Sequence, residues 1–298
     1  MSMVQPIIET ILPVTHDLGA FKVRRALPAR QRTMVGPFIF VDQFGPARLV
    51  PGQAMDVRPH PHINLATVTW LFEGAIDHRD SLGSIATVRP GQVNLMTAGR
   101  GIVHSERTPL EERAAGASLY GMQTWLALPD GREEIDPDFE AHTDLPLIEG
   151  GGATARVIMG TLWGATAPTT CHAETIYAEI LLAAGGAIPL DAEADERAVM
   201  LVGGEATVDG VALGLYELVV LAPDLPLRLC SERGGRVMLL GGEAFKSPRH
   251  VWWNFVSSSR ERISQAKDDW RTGRFPLVPG DSAEFIPIPD QPNTVSYP

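Results

Sequence analysis

Short apolar runs, cut by Gly, Pro and Asp at intervals of roughly ten residues, constrain this chain more than any other feature. FIFVDQF, LATVTWLFEG, SIATVRPG, YGMQTWLALP, ARVIMG, IYAEILLAAGG, AVMLVGGEATVDG, YELVVLAP and VMLLGGE each have the length and β-branched content of one strand. The rhythm predicts an all-β sandwich or barrel, and 29 Gly with 24 Pro supply the turns it needs. The runs also repeat. TVTWLFEGAIDH at 67–78 matches AVMLVGGEATVDG at 198–210, and each leads to a Gly-led strand, GQVNLM at 91 and GLYELVVL at 214. A duplicated β unit follows, expected as domains 1–140 and 141–298, with the acidic stretch at 136–154 as linker. One helix closes the pattern. SSSRERISQAKDDWRTG carries Ser258 and Glu261 as a capping box, Ile263, Ala266 and Trp270 on one face, and Gly273 as a stop.

Thirty-six acidic against 25 basic residues give a net charge of −11, with no Lys/Arg cluster. Direct nucleic-acid binding and adhesion to anionic lipid are therefore disfavoured. No apolar run approaches the roughly 18 residues of a membrane span. With two cysteines only, Cys171 and Cys230, and no basic start followed by an apolar run near the N-terminus, the expected compartment is the reducing cytoplasm.

The chemistry lies in RPHPHINLATVTWLFEG and TAGRGIVHSE. Alternate strand residues share a face, so His60 and His62 point one way around Pro61, as do His104 and Glu106 around Ser105. If the two strands face one another, three imidazoles and one carboxylate meet. Such a donor set suits one divalent first-row metal; imidazole-rich sites with open positions serve iron chemistry, and zinc stands beside it as an equal candidate. A four-coordinate zinc site would be structural, whereas six coordination would leave two positions for other ligands. His16, His142, His172 and His250 stand alone among polar residues and read as surface; His78 in DHRDSLG reads either as a group backing the metal or, by preference, as part of a solvated hairpin. No G-x-S-x-G elbow and no phosphate-binding G-x-x-x-x-G-K-[ST] loop is present, and Cys171 reads as an inert thiol.

HPH, TVTWLFEG, HRDSLG, PGQVNLMTAGRGIVHSE, RRALPARQRTMVGPFIFVDQFGPA and the C-terminal VWWNFVSSSRERISQAKDDWRTGRFPLVPGDSAEFIPIP resemble the pirin family of the cupin superfamily, over nearly the whole chain. The resemblance implies a bicupin, two jelly-roll-like β barrels with a short C-terminal helix. Its one metal, in the N-terminal barrel, falls on His60, His62, His104 and Glu106, and is expected to be iron(II), with Mn, Co, Ni, Cu or Zn as alternatives. It further implies a quercetin 2,3-dioxygenase-like enzyme taking a small planar phenol and dioxygen, with Glu106 as both ligand and general base. The alternative it implies is a non-enzymatic, metal-dependent redox sensor with a protein partner. A third reading is a cupin whose metal is only structural. In the second half, LVGGEA against LFEGAI sets Leu190 opposite His60 and Ala192 opposite His62. Leu227 and Leu229, or with one gap Cys230 and Glu232, fall opposite the other pair, so that copy is expected to lack a metal. Asn64, Leu65 and Ala66 stand where many members carry an acid shortly after the His pair.

Overall fold

The computed structural model describes residues 5–191 and 194–290. Two compact units emerge, each a seven-stranded sheet packed on a four-stranded one. In the unit carrying the HPH motif, the larger sheet runs in the order Asp138–His142, Val93–Thr97, Leu65–Glu73, Ala117–Ala127, Phe38–Leu49, Lys22–Leu27, Val14–Asp17. The smaller runs Asp56–His62, Ile102–Arg107, Ile76–Asp80, Ile85–Val88. Phe44, Leu71 and Leu119 of the large sheet pack on Ile76 and Val88 of the small one and seal one end of the interior.

The second unit reproduces this order strand for strand. Its small sheet runs Ala187–Leu190, Leu227–Cys230, Thr207–Val208, Val211–Ala212, and its large sheet contains Leu218–Leu221, Glu196–Gly204, Gly235–Gly242, Thr175–Leu182, Ala153–Met159 and Leu147–Gly150. The duplication expected from the repeated runs is thus a duplication of topology. At the position filled by Asp138–His142 in the first unit, the second has Ile7–Ile11, paired antiparallel with Leu218–Leu221.

The units are not linear halves. One comprises the described residues up to Val14 with Gln31–Phe38 and Asp144–Phe245; the other comprises Thr15–Arg30, Ile39–Thr143 and the described residues from Lys246 onward. A single cut at 140/141 would assign the C-terminal helix to the second barrel, and the packing assigns it to the first. The reason is a small apolar core. Ile263 and Ala266 of helix Arg260–Arg271 bury against Ile63 and Phe255, and Trp252, Trp253, Trp270 and Phe275 lean on the same cluster. The helix cap is Ser259 rather than Ser258: its hydroxyl accepts from Arg262 N at 3.2 Å and donates to Glu261 at 2.9 Å. Ser258 instead gives both its N–H and its hydroxyl to Glu133. No helix of the described residues is long and apolar enough to cross a membrane. Cys171 and Cys230 are half-buried and form no disulfide.

Candidate metal centre

Three adjacent strands of the first unit's small sheet build the site. Strand Ile102–Arg107 pairs with Asp56–His62 on one side, setting His104 opposite His60, and with Ile76–Asp80 on the other, setting His104 opposite Asp80 and Glu106 opposite His78. Directly opposed residues of antiparallel strands project to the same face. Alternation then brings His62, with His60, onto that face. All six side chains are buried. The turn that launches the His104 strand needs Gly99, whose φ of 49° is left-handed and whose missing Cβ would strike the Ile135 carbonyl.

Of the four sequence-chosen residues, His60, His62 and His104 form a cluster whose ligand nitrogens lie within 4.8 Å of one another. The hydrogen-bond partners fix how these rings present themselves. His60 Nδ1 sits 2.8 Å from the Arg58 carbonyl and His62 Nδ1 3.1 Å from the Asn254 carbonyl. A carbonyl only accepts, so both Nδ1 atoms carry the proton and both Nε2 atoms are lone pairs. His62 Nε2 and His104 Nε2 approach to 3.1 Å. With the Nε2 atoms of His60 and His62 bare and three buried imidazoles converging, the donor set fits a divalent metal.

Glu106 lies on the same face but outside that trio. Gln123 Nε2 donates to both carboxylate oxygens at 2.8 and 2.9 Å, and Thr69 Oγ1 to one at 3.3 Å, each reaching across from the large sheet. A buried carboxylate is tolerable only when its lone pairs are met, and neutral donors meet them here. Trp125 is stacked on Phe40 at 3.9 Å and meets His62 edge-on at 5.0 Å, so the trio has an aromatic wall.

His78 corrects the sequence reading. It is buried rather than solvated: Nδ1 lies 3.4 Å from His104 Nδ1, Nε2 lies 3.0 Å from Asp80, and the ring stacks on Phe139 at 4.4 Å. Its hairpin looks polar because these polar residues face inward. Gln123, Thr69, Asp80 and Asn254 also escaped the sequence reading. The available signal was Gln123 alternating with Trp125 in a mostly apolar strand, since a polar side chain on an inward face needs a partner. His16, His142, His172 and His250 are all half-buried, and His142 bonds Glu140 at 2.8 Å. Asn64 takes a left-handed φ of 57°, and its amide donates to the Glu133 carbonyl at 2.7 Å and to Glu134 at 2.6 Å. An acid from a later loop thus stands beside the residue that replaces the expected one.

The second unit offers no equivalent donors. Its register pairs Leu190 with Leu227 and Ile188 with Leu229, matching His62 with Ile102 and His60 with His104. Leu190 therefore corresponds to His62 and Ile188 to His60, two residues off the gapless alignment; Ala192 lies outside the described residues. All four aliphatic chains are buried in one apolar core.

Electrostatics follow from burial. Desolvation drives His62 and His104 well below the ordinary histidine pKa, aided by the neighbouring imidazoles, and lowers His60 less because the Arg58 carbonyl and Glu106 oppose it. Burial pushes Asp80 up, yet His78 and the Ser84 N–H bring its carboxyl below the usual range. Since the folded trio resists protonation while the unfolded chain takes up protons near the ordinary histidine pKa of about 6.5, stability is full above that pH and is lost as pH falls below it. For metal-free protein, stability is expected to fall as pH drops from 7 to 5. Denaturant melts between pH 7 and 5 check this; a flat profile would contradict the buried neutral trio.

Comparison with known proteins agrees with this architecture. Residues 20–126 match the Pirin family and residues 177–276 the Pirin C-terminal cupin domain. A pirin-like protein of Caulobacter vibrioides is 47% identical over 279 residues, covering 92% of this chain and 96% of the relative. A Pseudomonas aeruginosa protein provisionally named quercetin 2,3-dioxygenase is 38% identical, covering 91% and 87%. The crystal structure titled quercetin 2,3-dioxygenase from Acinetobacter baumannii superposes with a TM-score of 0.89 at 34% identity, covering 97% of each chain. With two barrels of one topology, the HPH and HSE pairs gathered in the first of them, and these matches over nearly its full length, the chain belongs to the pirin family and has the bicupin fold.

Proposed function

We propose that this chain is a metal-dependent dioxygenase in which His60, His62, His104 and Glu106 hold one divalent cation, iron(II) by preference, and open a planar phenol of the quercetin type. The observation that carries the reading is the convergence of imidazole nitrogens whose Nδ1 partners turn the lone pairs inward. The names of the Pseudomonas and Acinetobacter relatives support the substrate class. So does the aromatic wall of Trp125 and Phe40, against which a flat ring can lie.

When bound, the cation would polarise a phenolic oxygen and lower the cost of its ionisation. The rest falls to side chains. The three imidazoles stay neutral through desolvation and keep their lone pairs available. Glu106 is the general base: Gln123 and Thr69 donate to its carboxylate and aim it, and it takes the hydroxyl proton of the substrate. Phe40 and Trp125 orient the ring and exclude water.

The test is an aerobic assay of iron-loaded protein with quercetin, following loss of visible absorbance and release of carbon monoxide. Glu106→Gln is expected to lower turnover at least about a hundredfold, within the usual range for removing a general base, while bound metal falls far less because three imidazoles remain. No turnover by metal-loaded wild type would reject the enzyme. Full turnover in Glu106→Gln would remove the base from this role.

A further inference from the structure

Resting on the ligand assignment just proposed, we infer that His78 and Asp80 are positioning residues: a chain from Asp80 through His78 to His104 fixes the tautomer of His104 and presents its Nε2 to the cation. His104 is the one imidazole of the trio whose Nδ1 meets no carbonyl. Its partner is His78 Nδ1, at 3.4 Å. An imidazole nitrogen can donate or accept, so this contact alone leaves the direction of the bond undetermined.

Asp80 determines it. Its Oδ1 already accepts the N–H groups of Leu82 and Ser84 at 2.9 and 3.0 Å, and Oδ2 faces His78 Nε2 at 3.0 Å. An ionised carboxylate can only accept, so His78 Nε2 carries the proton. In the neutral ring, His78 Nδ1 is then a lone pair and accepts. The hydrogen comes from His104 Nδ1, which leaves His104 Nε2 bare, 3.1 Å from His62 Nε2. Reversed polarity would aim an N–H from His104 at the centre and close that coordination position.

The geometry holds the chain rigidly. Asp80 is fully buried at the head of a tight turn, its N–H bonded to Ser84 O at 3.2 Å, and the His78 ring lies parallel to Phe139, 15° from coplanar. Register makes the arrangement obligatory, because Asp80 lies opposite His104 and His78 opposite Glu106 on neighbouring strands. Backing groups of this kind typically alter metal affinity 10- to 100-fold when removed.

Two measurements test the inference. In long-range proton–nitrogen NMR spectra of zinc-loaded protein, His78 is expected to carry its proton on Nε2, with Nδ1 in the unprotonated range; a proton on Nδ1 overturns the inference. In competition against a chelator, His78→Phe, which keeps the stack on Phe139, is expected to weaken cobalt(II) binding 10- to 100-fold. His78→Asn, which can return an acceptor oxygen near the Nδ1 position, is expected to recover most of that loss. Wild-type affinity in a folded His78→Phe overturns the inference while leaving the ligand assignment standing. Failure of wild type to bind zinc or cobalt rejects the ligand assignment itself, and the tautomer spectra of metal-free protein then decide the hydrogen-bonded chain separately.

Discussion

His62→Ala is expected to lose at least about a hundredfold in metal affinity, since loss of an outer-shell partner alone commonly costs 10- to 100-fold. Metal analysis after dialysis against a chelator should show wild type near one equivalent and the variant under a tenth. The physical basis is that His62 contributes twice. It supplies an Nε2 lone pair, and its ring, anchored on the Asn254 carbonyl, faces the Nε2 of His104 and the edge of Trp125. His142→Ala is the control, because that half-buried ring bonds only Glu140 among the contacts seen and lies outside the trio. One full equivalent of tightly held metal in His62→Ala would remove the centre from this barrel.

Arg197→Leu should destabilise the second unit by about 3–5 kcal/mol, the range for stripping a buried charged partner from its acceptors. The guanidinium, 1% exposed, donates to four main-chain carbonyls: Leu190 at 2.9 Å and Asp191 at 2.6 Å through one nitrogen, Ala222 and Leu225 at 2.8 Å through the other. Those carbonyls belong to two separate connections, so one planar fork ties both to strand Glu196–Gly204. Burial lowers the pKa of the group, against the pull of Asp191 and Asp224, a measure of how costly the buried charge is. Leucine would leave four carbonyls dry and unmet. The transition of this unit should fall by roughly 6–20 °C. Arg197→Lys keeps the charge but not the fork and should recover only part of the loss. A shift under about 2 °C for Arg197→Leu would show that water or relaxation meets the carbonyls.

The imidazole trio was legible because strand alternation is a local rule: two imidazoles separated by one residue must share a face wherever the strand lies. What alternation cannot show is which strands are neighbours. His78 and Asp80 sit in a charged hairpin that reads as solvated, and only the pairing of Ile102–Arg107 with strands on both sides turns them toward His104. Gln123 is likewise hidden, since its value arises from the opposite sheet facing Glu106. The correspondence between the halves slipped by two residues for a related reason. The next strand begins at Leu65 after His62 but at Glu196 after Leu190, and a gapless count cannot absorb the longer connection. The C-terminal helix was readable from its periodicity, but its destination, the apolar patch of Ile63 and Phe255, was not.

The pairing of Ile7–Ile11 with Leu218–Leu221 has a consequence for biosynthesis. At ordinary translation speed the partner strand leaves the ribosome roughly 10 to 40 s after the first one, a delay of about two hundred residues. During that interval the earliest strand has nothing to zip onto. Once Leu218–Leu221 emerges, its own flank stays open until the waiting segment returns, and an unfilled sheet border invites pairing with another nascent chain. Anything that detains the leading segment, such as a bulky fusion partner or a holdase, should therefore appear as clumping of the late-made barrel, even though the barrel with the histidine trio contains none of the leading strand.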